Sequence, residues 1–588
     1  MQLQVLERDS ETRLETLAPL PAAIEFSRPS RHRLARRVAL AFAIAVGLGV
    51  AGALLYMSSV HAAPGNSDGA TVILEGKALS AGNITLNHWS LSLDSFWLVD
   101  VPFYAIAILL AGVHPQLLHL VPTVVAFGVI CVGAWIARFG RRGWAALLPA
   151  AAVVVMLGLP TRALASNFLM GPLHVTTVLW CLLAFVAMRR GRFGWSWALA
   201  VAFLAIAVLG DLQAAVLGTL PVFLAGGMVA LRTRRWRAGA PAVSAAIASA
   251  VAAEALRRIA LAIGTFSIAG ANPRASFHQM ISNLGGLLGY GADVQGVGIK
   301  SFSSLAQPSM LKAAHAVGLG LVVTAVVLAA AAVLRAGVAG LRNAARRPGN
   351  DEAGHFSPFE GECTGRERAE GESWFEDVLL FGFLGACALY VSLTLISSAT
   401  YDRYLTSVII FGSILAGRLL GRIGARMRTG QAKAALAAAA SLVAVGYFAS
   451  FASSLATPPP VQTSTALVGY LEAHDLTYGI GDYWSSSIVT VESSDAVVIR
   501  PVTTEPGTRY LGRYVRQTTS SWYGGGFEFF VYNTAFPWNS VDAQTAIASF
   551  GPPLREAAVG TYRVLSWKHD ISVPGDGGYV KYSPTVGS

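Results

Sequence analysis

Long apolar runs recur from about residue 38 to residue 455, separated by short stretches rich in arginine. A run of about 20 apolar residues is the length that crosses the hydrocarbon core of a bilayer. Backbone inside that core has to be satisfied within helices or a closed barrel, and the strand-period alternation of a barrel is absent. The pattern predicts spans over about 38–57, 117–137, 144–160, 172–188, 195–210, 213–231, 239–263, 311–334, 378–397, 405–421 and 434–455, so about eleven transmembrane helices.

Basic clusters set the orientation. They lie at Arg28/Arg31/Arg33/Arg36/Arg37, Arg138/Arg141/Arg142, Arg189/Arg190/Arg192, Arg232/Arg234/Arg235/Arg237, Arg342/Arg346/Arg347 and Arg418/Arg422/Arg426/Arg428. Short loops with this bias face the cytoplasm. Between successive clusters there must then be an even number of spans, and the blocks 144–188, 195–231, 239–334 and 378–421 each supply two. The segment from Val101 to Gly112 breaks the count if it crosses. It is also shorter than the roughly 17 residues a span needs. With Asp100 as a cap, Pro102 in its first turn and Gly112 at its end, it reads as a helix lying on the outer membrane surface. Residues 1–37 are then a basic cytoplasmic terminus, and the first span reads as a signal anchor. The transmembrane region is 38–455. Outward segments are 58–116, 161–171, the tip near Asp211, 264–310, 398–404 and 456–588. The polar loop 335–377 faces inward and contains no nucleotide-binding motif.

The pattern changes after Thr457-Pro458-Pro459-Pro460. Residues 462–474 and 541–550 look helical, and 477–480, 496–502, 527–532 and 562–567 look like strands. Residues 456–588 are therefore expected to form an extracytoplasmic α/β domain. Trp484, Trp522, Tyr523 and Trp538 fit either its core or a sugar-stacking surface.

Composition agrees. The 588 residues are 54% hydrophobic and 13% charged, about half the charge of a soluble domain. The net charge of +11 sits in the inter-span clusters, so it implies no nucleic-acid partner. The four cysteines, Cys131, Cys181, Cys363 and Cys387, form no CxxC pair. No metal-ligand set and no cofactor is assigned, though a divalent metal is compatible with the acidic residues below.

Chemistry concentrates in Leu93-Asp94-Ser95-Phe96-Trp97-Leu98-Val99-Asp100-Val101-Pro102-Phe103-Tyr104. A general base for a hydroxyl acceptor is a carboxylate or histidine close to it. Asp94 fits that role or is a solvated loop residue; Asp100 fits it or caps the surface helix. His88 is just upstream. Arg162, Asn167 and His174 lie at the next outward turn, and Asp211 sits at a tip between two apolar runs, where an ionisable group is a functional candidate. Tyr401, Arg403 and Tyr404 lie in another outward turn. Arginine offers phosphate a fixed, always charged fork, or it snorkels to lipid headgroups. Arg274, His278 and Lys300 lie in the Gly-rich stretch 264–310, which reads as a mobile lid or a connector.

Asp94, Asp100, Pro102, Phe103 and Tyr104, with the helix to Gly112 and the span from about 117, resemble the first outward loop of the GT-C superfamily of membrane glycosyltransferases, which includes protein mannosyltransferases and aminoarabinose transferases. The Gly481-Asp482-Tyr483-Trp484 segment resembles the tails of bacterial members. The resemblance implies a multi-pass protein of the bacterial inner membrane with a periplasmic C-terminal domain. It also implies inverting transfer of a sugar from a polyprenyl-phosphate carrier to an extracytoplasmic lipid, glycan or protein, with Asp94 or Asp100 as base. One departure stands out: the superfamily commonly has a second acidic position in the next outward loop, and 161–171 contains none. A lipid or polysaccharide transporter and a glycan-binding scaffold are the alternatives.

Overall fold

The computed structural model describes residues 31–92, 94–172, 174–268, 274–298, 309–345, 365–394, 403–536 and 540–582. Lys300 and Tyr401 lie outside the described residues, as do Asp402, Trp538, Cys363 and much of 335–377.

Among the described residues fifteen α-helices precede the C-terminal region: α1 (Arg31–Ala62), α2 (Ser67–Ser80), α3 (Val101–Ala111), α4 (Leu117–Arg138), α5 (Trp144–Gly158), α6 (Arg162–Phe168), α7 (Val175–Ala187), α8 (Trp195–Gly210), α9 (Leu220–Thr233), α10 (Trp236–Ala262), α11 (Phe277–Val294), α12 (Ser309–Ala345), α13 (Gly365–Ser392), α14 (Thr406–Arg426) and α15 (Gly430–Ala456). As far as Ala51, α1 is a unit of its own with exposed apolar side chains such as Phe42. The rest, from Gly52, is one compact body.

Each expected span has a helix, but among the described residues only eight are long and apolar enough to cross a bilayer. A ninth is α5 counted together with α6, which turns from it by 89°. The helix α7, at 13 residues, falls short of the expected 172–188, whereas α8, at 16 residues, has the bounds expected of it but is short for a span. The reason for α7 is visible in its packing: Val178, Cys181, Leu182 and Phe185 are buried inside the protein, so this helix meets neighbouring helices rather than lipid. At the helix ends that carry the arginine clusters, Arg418, fully buried, donates from Nη1 to the Ile136 carbonyl, and Arg232 forks onto Asp377.

One expectation for the outward segments changes. Asp100 stands at the N-cap position of α3 but makes no side-chain cap bond; its Oδ1 accepts from the Thr176 hydroxyl instead, at 2.5 Å. The stretch 264–310, expected to be a mobile lid or a connector, holds the 18-residue helix α11 among its described residues. One of its glycines allows a close approach: a Cβ on Gly286 would lie 3.3 Å from the Tyr390 hydroxyl oxygen. Asn283 donates from Nδ2 to the carbonyls of Val391 (2.9 Å) and Leu393 (2.8 Å), fixing α11 to the end of α13.

The C-terminal region contains α16 (Ser464–Ala473), α17 (Tyr483–Glu492) and α18 (Ala543–Phe550) around a mixed seven-stranded sheet. Its strands are β3 (Tyr478–Gly481), β4 (Val498–Thr504), β5 (Leu511–Arg513), β7 (Phe527–Asn533), β8 (Arg555–Val559), β9 (Tyr562–Ile571) and β10 (Tyr579–Val580). The order is β10-β5-β4-β3-β7-β9-β8, with β3 parallel to both neighbours. The helix α17 was not anticipated. Asp482 starts it by accepting from the amides of Trp484 (2.9 Å) and Ser485 (3.1 Å). A second, small sheet joins separate parts of the chain. In it β1 (Trp89–Leu91) pairs with β2 (Ser267–Ile268) and with β6 (Thr518–Thr519) of the C-terminal region. The helix α2 packs between α3 and α17, so the first outward loop is held by the membrane helices on one side and the C-terminal sheet on the other.

Candidate active site

Three turns meet at the helix ends that the arginine pattern assigns to the outside. The first carries Asp94. The second is the start of α7, where His174 adopts a left-handed backbone, φ +64°, a conformation histidine tolerates better than most residues. The third is the end of α8 at Gly210-Asp211. A backbone bond ties the first to the third: the Phe96 amide donates to the Gly210 carbonyl at 2.8 Å.

His174 and Asp211 form the centre. Nδ1 of His174 lies 2.7 Å from Oδ2 of Asp211, and both side chains are buried. The Thr177 hydroxyl donates to the same oxygen at 2.5 Å, and the Gln213 amide donates to Oδ1 at 2.9 Å. The other ring nitrogen, Nε2, is 3.0 Å from Nε2 of Gln213. A carboxylate on Nδ1 fixes the imidazole's orientation and favours its protonated form. Asp94 completes the group. One donor atom each from Asp94, His174 and Asp211 lie within 4.8 Å of one another. Burial, then the charge of Asp211, push the Asp94 carboxyl up to about 6, against the opposing pull of His174 and Arg403.

Arg403 and Tyr404 approach from the turn before α14. The Tyr404 ring stacks on His174, centroids 5.5 Å apart. The Arg403 guanidinium lies over the Tyr404 ring at 5.3 Å. Arg403 also faces Asp68, in the first turn of α2, at 3.8 Å.

Asp100 sits deeper. Burial above all pushes its carboxyl up to about 7, against the Thr176 hydroxyl bond. Its free Oδ2 and the unpartnered Tyr104 hydroxyl line a cavity of about 10 Å³ together with Met170, Gly171 and Thr176, room for one water. Close by, Glu75 is fully buried with both carboxylate oxygens unpartnered. Burial and then Asp100 hold it well above the usual carboxylate range.

The structure therefore brings Asp94, His174, Asp211, Arg403 and Tyr404 together, with Asp100 behind them. The other candidates lie apart. Arg162 donates from Nε to the Ala62 carbonyl at 3.3 Å, and Asn167 donates to Ala163 within its own helix. His88 and His278 are exposed, and Arg274 forms an isolated bridge with Leu393. Asp211 reaches His174 from the tip that follows 161–171 in the chain. Asp68, Thr176 and Thr177 were not singled out in the sequence. The one available signal for Asp68 was Asn66, whose side chain caps α2.

The donor set of Asp94, His174 and Asp211 fits a divalent cation, since a histidine and two carboxylates suit such ions. His174 would offer the ion one of its two ring nitrogens, of which Nδ1 faces Asp211 and Nε2 faces Gln213.

The chain is similar in structure to membrane glycosyltransferases. ArnT from Cupriavidus metallidurans in the apo state matches with a TM-score of 0.47 and 14% identity over 90% of this chain and 98% of that one. The same protein bound to undecaprenyl phosphate gives a TM-score of 0.44 and 13% identity over 89% and 98%. The oligosaccharyltransferase AglB from Archaeoglobus fulgidus, in complex with an inhibitory peptide and a dolichol-phosphate, gives 0.42 and 12% over 92% and 75%. These proteins belong to the GT-C superfamily that the first outward loop resembles. No family model matches the chain, and no curated protein matches it.

Proposed function

We propose that this protein transfers a sugar from a polyprenyl-phosphate carrier to an acceptor outside the cytoplasm, with inversion, and that it does so in a bacterial inner membrane with its C-terminal domain in the periplasm. The observation that carries the reading is the meeting of Asp94 with the His174–Asp211 pair and with Arg403, at the outer ends of apolar helices.

Asp94 takes the proton of the acceptor hydroxyl. The acceptor oxygen then attacks the anomeric carbon from the face opposite the phosphate. The bond from that carbon to the phosphate oxygen breaks, and polyprenyl phosphate leaves with the electron pair. A base near pKa 6 suits this task at neutral pH, being ionised yet still basic. Once protonated, Asp94 relieves its repulsion with Asp211. Arg403 neutralises the leaving phosphate, and the Tyr404 ring limits where its guanidinium can go. Asp100 is the poorer base, because it is buried and its Oδ1 is already occupied by Thr176. A divalent cation held by Asp94, His174 and Asp211 would supply positive charge beside the phosphate.

The test is transfer from a panel of radiolabelled polyprenyl-phosphate sugars by purified protein in lipid, with Asp94→Asn beside wild type. Transfer by wild type and its loss in the variant support the reading. Binding of the carriers without transfer from any donor would move the weight to a transporter or scaffold.

A further inference from the structure

Asp68 belongs to no part of the mechanism above, yet its carboxylate faces Arg403. Its two oxygens have different partners. Oδ1 accepts from the Tyr483 hydroxyl at 2.6 Å, and Oδ2 stands 3.8 Å from Nη1 of Arg403. Tyr483 comes from the C-terminal region, where its oxygen also lies 2.9 Å from Oε1 of Gln517 and its ring stacks on Tyr514 at 5.0 Å. The spacing to Arg403 is loose, because charge-assisted pairs close to about 2.7–2.9 Å. Both side chains of the pair are near 30% exposed, so water and other anions can reach it.

We infer that Asp68 is an exchangeable counter-ion of Arg403: it balances the guanidinium between turnovers, yields it to the lipid-linked phosphate, and returns to help expel the product. The inference rests on Arg403 being the phosphate ligand. An anion in the first turn of a helix is held by the helix itself, so Asp68 stays in place while Arg403 changes partners. A hydrogen bond draws charge from a carboxylate. The Tyr483 hydroxyl therefore keeps the Asp68–Arg403 pair weak enough to exchange. The phosphate ester gains negative charge when the sugar leaves, so the product holds Arg403 more tightly than the donor does. A competing carboxylate matters most at that step.

The experiment measures the affinity of undecaprenyl phosphate for the full-length protein in nanodiscs of phosphatidylcholine, a zwitterionic lipid that does not compete as a net anion. Asp68→Asn is expected to tighten binding about two- to fivefold, the size of a partly exposed ion pair. Tyr483→Phe is expected to weaken it slightly, and Arg403→Ala to weaken it more. In the Arg403→Ala background Asp68→Asn should have no further effect. A purely structural role for Asp68 moves affinity down rather than up. Unchanged or weaker binding in Asp68→Asn, with Arg403→Ala clearly weakened, overturns this inference and leaves the transferase reading intact. Wild-type affinity in Arg403→Ala overturns the phosphate role of Arg403, and this inference with it. In turnover, Asp68→Asn should lower KM and kcat together, the signature of slowed product release.

Discussion

Nδ1 of His174 and Oδ2 of Asp211 lie 2.7 Å apart in a site from which water is almost wholly excluded. Each is expensive to bury alone, and each is satisfied by the other. Removing one partner leaves the second uncompensated beside Asp94. Asp211→Asn is therefore expected to cut sugar transfer about 100-fold or more, within the range for a group tied to acid–base chemistry. Thr177→Val, which removes one bond to the same carboxylate, should cost about tenfold. Transfer assays on membranes with matched protein levels check both. Equal loss from the two variants would mean that the site fails as a packing unit rather than through the charge of Asp211.

The two carboxylates of the first outward loop separate cleanly. Asp94 lies with the pair and with Arg403, whereas Asp100 is anchored by Thr176 and faces a cavity the size of one water. Asp94→Asn should lower kcat about 10²- to 10⁴-fold with little change in donor affinity. Asp100→Asn keeps a group able to accept from Thr176 and should cost far less. Full activity in Asp94→Asn, with loss in Asp100→Asn, would exchange their roles.

Much of this was legible in the chain. His174 and Asp211 stand out because each is a polar residue at the end of an apolar run, and Asp94 because it is a carboxylate among aromatics beside the surface helix. Their meeting was not legible, since it depends on the Phe96–Gly210 backbone bond and on three turns far apart in sequence. Arg162 and Asn167 occupy the loop where a second acid was expected, but short local bonds turn them elsewhere. The glycines of 285–298 suggested a lid or a connector, and the approach of α11 to Tyr390 at Gly286 could not be read from them. Asp68 was not singled out, because the partner that gives it meaning, Tyr483, lies 415 positions away.

Glu75 predicts a pH dependence of stability. Its carboxyl is raised in the folded state by burial and then by Asp100. A raised carboxyl binds more protons folded than unfolded, so its contribution is fully present below the ordinary value of 4.5 and is lost as pH rises through the folded value. Glu75→Gln removes the titration. The variant is expected to be more stable than wild type at pH 8, by on the order of 1 kcal/mol, with the gap closing as pH falls toward 4.5. Thermal unfolding in detergent across that range reads it directly. A gap independent of pH would place the effect in packing rather than in the charge.

The contact between Val99 and Gly210 is what allows the first loop to reach Asp211. A Cβ on Gly210 would lie 2.5 Å from Cγ2 of Val99 and 3.3 Å from its amide nitrogen, so any larger residue must push the two turns apart. Overpacking of this kind costs about 1–3 kcal/mol, too little to unfold a chain of this size. It acts on the bond from the Phe96 amide to the Gly210 carbonyl and hence on the distance from Asp94 to Asp211. Gly210→Ala should therefore lose transfer activity while keeping its helical content and expression. Adding Val99→Ala removes the methyl that clashes most and should restore much of the activity. A double variant as inactive as Gly210→Ala would mean that the Val99 amide sets the limit. A single variant with wild-type activity would mean that Asp94 and Asp211 need not be held this close for transfer.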